Sequence, residues 1–156
     1  MNSESRCPPG NDLIAAYLAT TYRVVLDNRT EDVRIGQVHP HLDRLSGGSC
    51  WVIITAFNPG SNRLSDSENR HRHRQLIECV ETVGLISRPT RHIAEDGSWP
   101  VEQGLFIVDA DDEWAHQQAR EFGQLGIVHA RVRAVAELWL YDGFSSWHDP
   151  AHVRRF

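Results

Sequence analysis

The chain has 156 residues, 40% of them hydrophobic, and a net charge of -5, which suits a single globular domain and argues mildly against a general nucleic-acid or membrane-surface binder. All 16 basic residues are arginine, so a Walker-type phosphate loop, Schiff-base chemistry and a lysine general base are excluded. We expect a cytoplasmic protein, because no apolar run could span a bilayer, residues 1–10 lack the apolar core of a signal peptide, and the three cysteines are widely spaced.

The first third of the chain predicts a leader, a helix and a β-hairpin. Residues 1–10 are polar and form the leader, and Asn11 is the expected N-cap of the helix that follows. Strands over residues 22–27 and 33–38 flank the turn at residues 28–30. Residues 39–48 make a short connection that ends in two glycines.

Residues 50–57, CWVIITAF, are the clearest element. They are almost continuously apolar and rich in β-branched side chains, which predicts a central strand covered on both faces. Ser65 and Glu68 form a capping box at the start of a helix that continues to about Val83, and Gly84 ends it.

The rest of the chain completes an α+β pattern. Strands are expected over residues 85–93, 105–108, 126–132 and 136–141, with a helix from Asp111 to Gly123 among them. From residue 50 the order is strand, helix, strand, strand, helix, strand, which is the ferredoxin-like split βαβ arrangement of a mixed sheet. We therefore predict one domain over residues 11–141 with an added N-terminal helix and hairpin, both long helices on one face, and a tail over residues 142–156. The alternative is an α/β doubly wound sheet.

A ligand site is predicted where the central strand ends. Thr55 and Asn58 stand at the carboxyl end of this strand and precede a helix N-terminus, a place where sheets often bind ligands. Asn69 and Arg72 continue the core-facing line of the helix and would point towards the same place. Arginine suits forked recognition of carboxylate or phosphate. The competing interpretation is that these polar groups only support the loop.

Two further polar residues are candidates for the same pocket. Gln124 follows the helix-ending Gly123 and begins a strand that runs antiparallel to residues 50–57 in the split βαβ arrangement. Glu102 is the one acid in the stretch 98–108. Parallel central strands would place it at the far end of the sheet from Asn58, whereas antiparallel strands would bring the two together.

The sequence gives little support for a metal site or for a catalytic nucleophile. His71 and His73 are two apart on a helix and point in different directions, so they cannot share an ion. No spaced histidine pair with a glutamate and no nucleophile elbow appears. We expect no metal site, and the sequence does not identify a cofactor.

The chain resembles the bacterial family known as domain of unknown function 3293. The resemblance rests on residues 16–22, on the segment Ile54 to Pro59, on the helix with Asn69 and Arg72, on Trp99 with Glu102, and on residues 122–124. It extends over residues 11–141. No established activity comes with it, but it implies that these polar residues recur as a set.

Function is therefore expected only in outline. The leading hypothesis is a binder of an anionic small molecule, nucleotide-like or carboxylate-like, or a small enzyme, with Thr55, Asn58, Asn69, Arg72, Glu102 and Gln124 as ligand-binding residues. His71 or His73 could transfer protons. The rival is a non-enzymatic interaction module that uses the aromatic tail, with Phe144, Trp147 and Phe156.

Overall fold

A computed structural model describes residues 10–141 and 149–156. Helices and strands are interspersed along these two ranges. In chain order they are α1 Gly10–Leu18, β1 Thr20–Val25, β2 Thr30–Val33, α2 Pro40–Asp43, β3 Cys50–Thr55, a 3-10 turn Pro59–Ser61, α3 Asp66–Thr82, β4 Ile86–Ala94, β5 Glu102–Val108, α4 Asp112–Glu121, β6 Gly126–Arg131, β7 Glu137–Leu140 and β8 Val153–Arg155. None of the helices in these ranges has the length and apolarity needed to cross a membrane.

The strands form one mixed eight-stranded sheet in the order β2-β1-β4-β5-β3-β6-β7-β8. Every neighbouring pair is antiparallel except β7 and β8, which run parallel. The α+β class is therefore confirmed. Because β5 runs antiparallel to β3, the start of β5 lies beside the end of β3. The same holds for β6 on the other side of β3.

Each face of the sheet carries its own apolar core. Val52, Ile54 and Ile107 face α3 and α4, where Leu76 is among the buried residues that pack on them. Ile53 belongs to the second core on the opposite face, together with Trp51, Phe106 and Leu42 of α2. Both long helices thus lie on one face, as expected, and β3 is buried throughout because it is covered on both sides.

The early elements begin sooner than the sequence pattern indicated. Helix α1 starts at Gly10, so Asn11 lies inside the helix and the expected N-cap is wrong. The hairpin strands are β1 and β2, and the second ends at Val33, where the prediction had it begin. Polar residues of β2 obscure its pattern, because this strand is at the sheet edge and mostly exposed.

Part of the predicted tail belongs to the sheet. Residues 153–155 form β8 and pair with β7. Phe156 is 43% exposed, and its ring lies 4.4 Å from that of His116 and 4.8 Å from that of Trp139. The other two aromatic residues of the tail, Phe144 and Trp147, lie outside the described residues.

The start of α3 has the predicted capping box. The Ser65 hydroxyl accepts a hydrogen bond from the Glu68 N–H, and the Glu68 carboxylate accepts one from the Ser65 N–H. Two of the helix's first amide groups therefore have partners that the helix itself cannot supply. At the other end Gly84 adopts the left-handed conformation expected of it.

Replacing the N-cap hydroxyl tests this helix start. We expect Ser65→Ala to lower the free energy of unfolding by about 1 kcal/mol, because the Glu68 N–H loses its acceptor. Ser67→Ala, an exposed serine two residues further along the same helix, is the control and should change stability much less. Urea unfolding measures both. Equal effects of the two substitutions would contradict the capping assignment.

Candidate functional site

Asn58 occupies a left-handed turn immediately after β3. Its φ is 47°, a conformation that asparagine tolerates better than most residues. Its backbone N–H donates to Asn69 Oδ1 at 2.9 Å, and Asn69 Nδ2 donates back to Asn58 Oδ1 at 2.9 Å. The Leu64 N–H also donates to Asn58 Oδ1. The two amides therefore hold the loop between β3 and α3.

The Asn58 side chain also connects this loop to β5. Asn58 Nδ2 donates to Glu102 Oε1 at 2.8 Å, and Trp99 Nε1 donates to the same oxygen at 2.8 Å. Burial raises the pKa of Glu102, and the two hydrogen bonds oppose this rise. Within residues 10–141 and 149–156, no group donates to the other carboxylate oxygen, Oε2. The antiparallel alternative for Glu102 and Asn58 is thus the one the structure adopts.

Strand register places Glu102 in a row with two further polar side chains. Tyr22 of β1 pairs with His92 of β4, and His92 pairs with Glu102 of β5. Directly paired residues point to the same face, so the row crosses three adjacent strands. The rings of Tyr22 and His92 meet edge to face at 4.9 Å between centroids. This face is the one opposite α3 and α4, because Tyr22 belongs to the second core.

Burial keeps His92, the middle residue of this row, uncharged. It lowers the pKa of His92 to about 3, with repulsion from His73 as a smaller cause, so the ring is neutral near pH 7. His92 Nε2 lies 2.9 Å from Thr90 Oγ1. Burial also raises the pKa of Tyr22 well above its ordinary value, and the Tyr17 and Glu102 side chains add to that effect.

Gly104 makes room for the His92 side chain. A Cβ atom built at Gly104 would lie 2.7 Å from His92 Nε2, 2.8 Å from Thr90 Oγ1 and 2.6 Å from the Ile54 carbonyl oxygen. Those separations are too short for any side chain. The neighbouring strands can therefore hold this pair of polar groups only because residue 104 has no side chain.

A cavity of about 670 Å³ opens between α1 and this row. It has the size of a small-molecule site. Most of the large or charged residues that line it are aromatic or acidic. None of the described lining residues is an arginine. The aromatic residues are Tyr17, Tyr22, Phe57 and Trp99, and the acidic ones are Asp12, Glu95, Asp96 and Glu102.

Of the six residues predicted to bind a ligand, three line this cavity. Asn58 and Glu102 are hydrogen-bonded to each other in its wall, and Gln124 lines it from just before β6. Gln124 Nε2 donates to the Phe57 carbonyl at 3.0 Å and to the Phe122 carbonyl at 3.2 Å. The remaining three predicted residues, Thr55, Asn69 and Arg72, are not part of its lining.

Arg72 supports the backbone at this end of the sheet. Its Nε donates to the Ala56 carbonyl at 2.8 Å and its Nη2 to the Phe122 carbonyl at 2.5 Å, while the guanidinium lies over the Phe122 ring. Thr55 has a comparable role, since its hydroxyl donates to the Gln103 carbonyl and accepts from the Phe57 N–H. Both side chains are engaged with backbone groups, and neither is part of the cavity lining.

The two helix histidines lie apart from the cavity. His71 is exposed on α3, whereas His73 is half-buried with its ring 6.1 Å from that of Phe57. His73 lines a second cavity of about 520 Å³, together with Arg70, Arg91 and Asp66. Burial lowers the pKa of His73. Neither histidine is placed to transfer a proton in the first cavity.

A model of the family described as Protein of unknown function (DUF3293) matches residues 54–127. The match covers 74 of the 156 residues (54 to 127), and over this segment the chain is similar to the family. The matched segment runs from the end of β3 to the start of β6, so it contains Asn58, Glu102 and Gln124 but not Tyr22. No curated protein and no solved structure matches the chain.

Two turns within the matched segment pack directly on each other. The Gly60 N–H donates to the Gly123 carbonyl at 2.7 Å. Gly123 has a φ of 65°, and a Cβ there would lie 2.9 Å from Pro59 Cβ. The Asn-Pro-Gly turn thus fits against the Phe-Gly-Gln turn because Gly123 carries no side chain. Their contact closes the carboxyl end of β3.

Sequence patterns alone missed Tyr22 and His92 as site residues. Nothing in the local sequence distinguishes them from other half-apolar strand positions, since their importance comes from the pairing of three strands. Glu102 was detectable because it is an isolated acid in an uncharged stretch.

Arg72→Ala tests the support of these carbonyls. We expect a loss of about 1.5–3 kcal/mol in unfolding free energy, since buried carbonyl groups lose a charged donor. Arg74→Ala, an exposed arginine on the same helix, is the matched control. Urea unfolding measures the unfolding free energy of both variants. Equal stability of Arg72→Ala and the wild type would show that the guanidinium does not support this backbone.

His92→Gln tests the buried neutral ring. In the unfolded chain a histidine binds a proton near pH 6.5, but folded His92 does so only near pH 3, so wild-type stability falls as pH drops through this window. Between pH 6.5 and 4.5 the wild type should lose about 2–3 kcal/mol more than His92→Gln, at about 1.4 kcal/mol per pH unit. Urea titrations at both pH values measure the difference. Parallel losses would contradict a buried neutral His92.

Proposed function

We propose that the cavity beneath α1 binds a small molecule that carries a protonated amine. The observation that carries the proposal is the charge of its described lining, which holds carboxylates and aromatic rings but no arginine. A carboxylate pairs with an ammonium group, and aromatic faces attract the same charge. A cavity with this lining would repel a carboxylate or a phosphate.

Glu102 is the group we assign to the amine. Its Oε1 is occupied by Asn58 and Trp99, while Oε2 has no donor among the described residues and remains for a ligand. Burial disfavours the ionised form of Glu102. A protonated amine beside it would favour that form again, because an opposite charge nearby lowers the pKa of a carboxyl group. The fixed oxygen also gives the ligand a defined direction of approach.

The raised pKa of Glu102 makes it suited to proton transfer as well. If this domain is a small enzyme, Glu102 is the acid–base group that we assign, and neutral His92 and Tyr22 supply its polar surroundings. The proposed amine would then lose or gain its proton at Oε2. Binding alone needs no such step.

An anionic ligand, which the sequence favoured, has a different candidate location. Arg70, Arg91 and His73 line the second cavity, next to the first helical turns of α3. These are the cationic and proton-donating groups that phosphate or carboxylate requires. Arg72 is not among them, because two backbone carbonyls occupy its guanidinium. Anion binding is therefore our second candidate, on the opposite side of Phe57.

We also propose that the central part of the fold is a ferredoxin-like split βαβ unit. Its support is the order β4-β5-β3-β6, with all three pairs antiparallel, and the connection of β3 to β4 by α3 and of β5 to β6 by α4. On this view α1, the β1–β2 hairpin and strands β7 and β8 are additions at the two edges. The main cavity lies where the N-terminal addition meets the central unit.

The rival interaction module and the cytoplasmic location remain predictions. The part of the tail that is described, β8 and Phe156, packs on the sheet and on α4. A protein partner would therefore meet Phe156 as a half-exposed ring on a fixed strand.

Thermal shift with paired compounds tests the amine proposal. We would compare primary amines with carboxylic acids of equal carbon number, first on the wild type and then on Glu102→Gln. Glu113→Gln, an exposed acid on α4, is the control. We expect amines alone to stabilise the wild type, and Glu102→Gln to weaken the best amine by about 10- to 150-fold, which corresponds to a lost charge-assisted hydrogen bond.

The reverse pattern would overturn the proposal. Stabilisation by carboxylates or phosphates that disappears in Arg70→Ala and Arg91→Ala would move the ligand to the second cavity. Amine binding that Glu102→Gln leaves unchanged would remove Glu102 from the site. Because the amide of glutamine can still accept from Asn58 and Trp99, loss of folding is not expected to obscure the result.

A further inference from the structure

A second cluster of chemically active side chains lies at the opposite end of β3. Cys50 begins β3, His129 lies in the neighbouring strand β6, and Asp112 is the first residue of α4. One candidate ligand atom from each residue lies within 4.8 Å of the other two. A sulfur, a nitrogen and a carboxylate oxygen thus come from three separate elements to one corner of the α4 face.

The imidazole of His129 is fixed and lacks a well-aligned hydrogen-bond partner. Its side chain is 3% exposed, and Nε2 has no well-aligned hydrogen bond among the described groups, with only the long 3.3 Å approach to Asp112 Oδ1 beside it. The ring stacks on Trp139 with 3.7 Å between centroids and 14° between planes. A buried polar atom without a partner is costly, so this nitrogen requires an explanation.

The distance from this nitrogen to Asp112 is that of two ligands on one ion. His129 Nε2 lies 3.3 Å from Asp112 Oδ1. In a tetrahedral zinc site with bonds of about 2.0–2.1 Å, two such ligand atoms are about 3.4 Å apart. Arg131 Nη2 donates to Asp112 Oδ2 at 2.7 Å and so directs Oδ1 towards the imidazole. Metal sites commonly orient a ligand by an outer partner of this kind.

We propose that Cys50, Asp112 and His129 form a binding site for a divalent zinc-like ion, with water as the fourth ligand. One thiolate and one carboxylate balance the charge of the ion, and a mixed sulfur, nitrogen and oxygen set suits zinc. Cys50 would lose its proton to solvent on binding and exchange its weak contact with the Ala110 carbonyl for the metal. Asp112 is partly exposed, which gives the ion a route of entry.

This proposal departs from the expectation of no metal site, and the reason is spatial. The two helix histidines considered from the sequence, His71 and His73, are not involved. The three ligands are separated by 62 and 17 residues along the chain, counted from position 50 to 112 and from 112 to 129. The site lies at the amino end of β3, whereas the amine cavity lies beyond its carboxyl end, so the two proposals are tested separately.

Cobalt and zinc titrations test the site on the full chain under reducing conditions. We expect one Co²⁺ per chain with the charge-transfer absorption of a cobalt–thiolate bond, and its displacement by Zn²⁺. Cys50→Ser should abolish that absorption, and His129→Gln should weaken Zn²⁺ by more than the roughly 10- to 100-fold that loss of an outer partner costs. Cys79→Ser and His71→Gln are controls on α3 and should bind as the wild type does.

Two results would overturn the proposal. The first is no stoichiometric binding of either ion by the folded wild type. The second is binding that Cys50→Ser and His129→Gln leave unchanged, which would place the ion elsewhere. Should His129→Gln fail to fold by circular dichroism, Asp112→Asn takes its place, because this carboxylate is partly exposed and its Arg131 contact can persist.

Discussion

The side chain of Asn58 is the interaction on which the main candidate site depends. Its oxygen accepts hydrogen bonds from Asn69 and from the Leu64 N–H, and its nitrogen donates to Glu102. One amide thus connects the end of β3, the start of α3 and the start of β5. A carboxylate in an apolar setting needs donors of this kind, and the same bonds fix which of its oxygens remains for a ligand.

The edge around Asn58 is held by groups that never meet the cavity. Arg72 satisfies the carbonyls of Ala56 and Phe122, and the turns at Pro59 and Gly123 fit against each other. These contacts come from the α3 face, while the cavity lies on the other face. Asn69 and Arg72 look like ligand contacts from their place on α3. They serve instead to position Asn58 and Gln124. A guanidinium occupied by two carbonyls has little capacity left for an anion.

Charge separates the two cavities on either side of Phe57. The larger is lined by acids and aromatic rings, and the smaller includes Arg70, Arg91 and His73. The chain lacks lysine, so the arginine side chains carry its fixed positive charge, and their placement decides where an anion can bind. In the larger cavity, the placement of Glu102 is the basis of the proposal that a cation binds there. The far end of β3, with Cys50, presents softer donor atoms to a metal ion.

The sequence by itself determined the local features of this protein. The apolar run of β3, the capping box of Ser65 and Glu68 and the left-handed Gly123 each depend on residues a few positions apart, and all were predicted correctly. The α+β class followed from their order. Strand limits at the exposed edge were less accurate, because solvent-facing strands have weak apolar patterns.

Only the tertiary structure decided which side chains meet. Register across β1, β4 and β5 brings Tyr22, His92 and Glu102 together, although they are far apart in sequence. The folding of α4 onto β3 and β6 likewise brings Asp112 to Cys50 and His129. Local sequence patterns do not predict these long-range contacts, because a one-residue change of register would turn every side chain of a strand to the other face. The sequence supplied the chemical groups, and the long-range pairing of strands determined their partners.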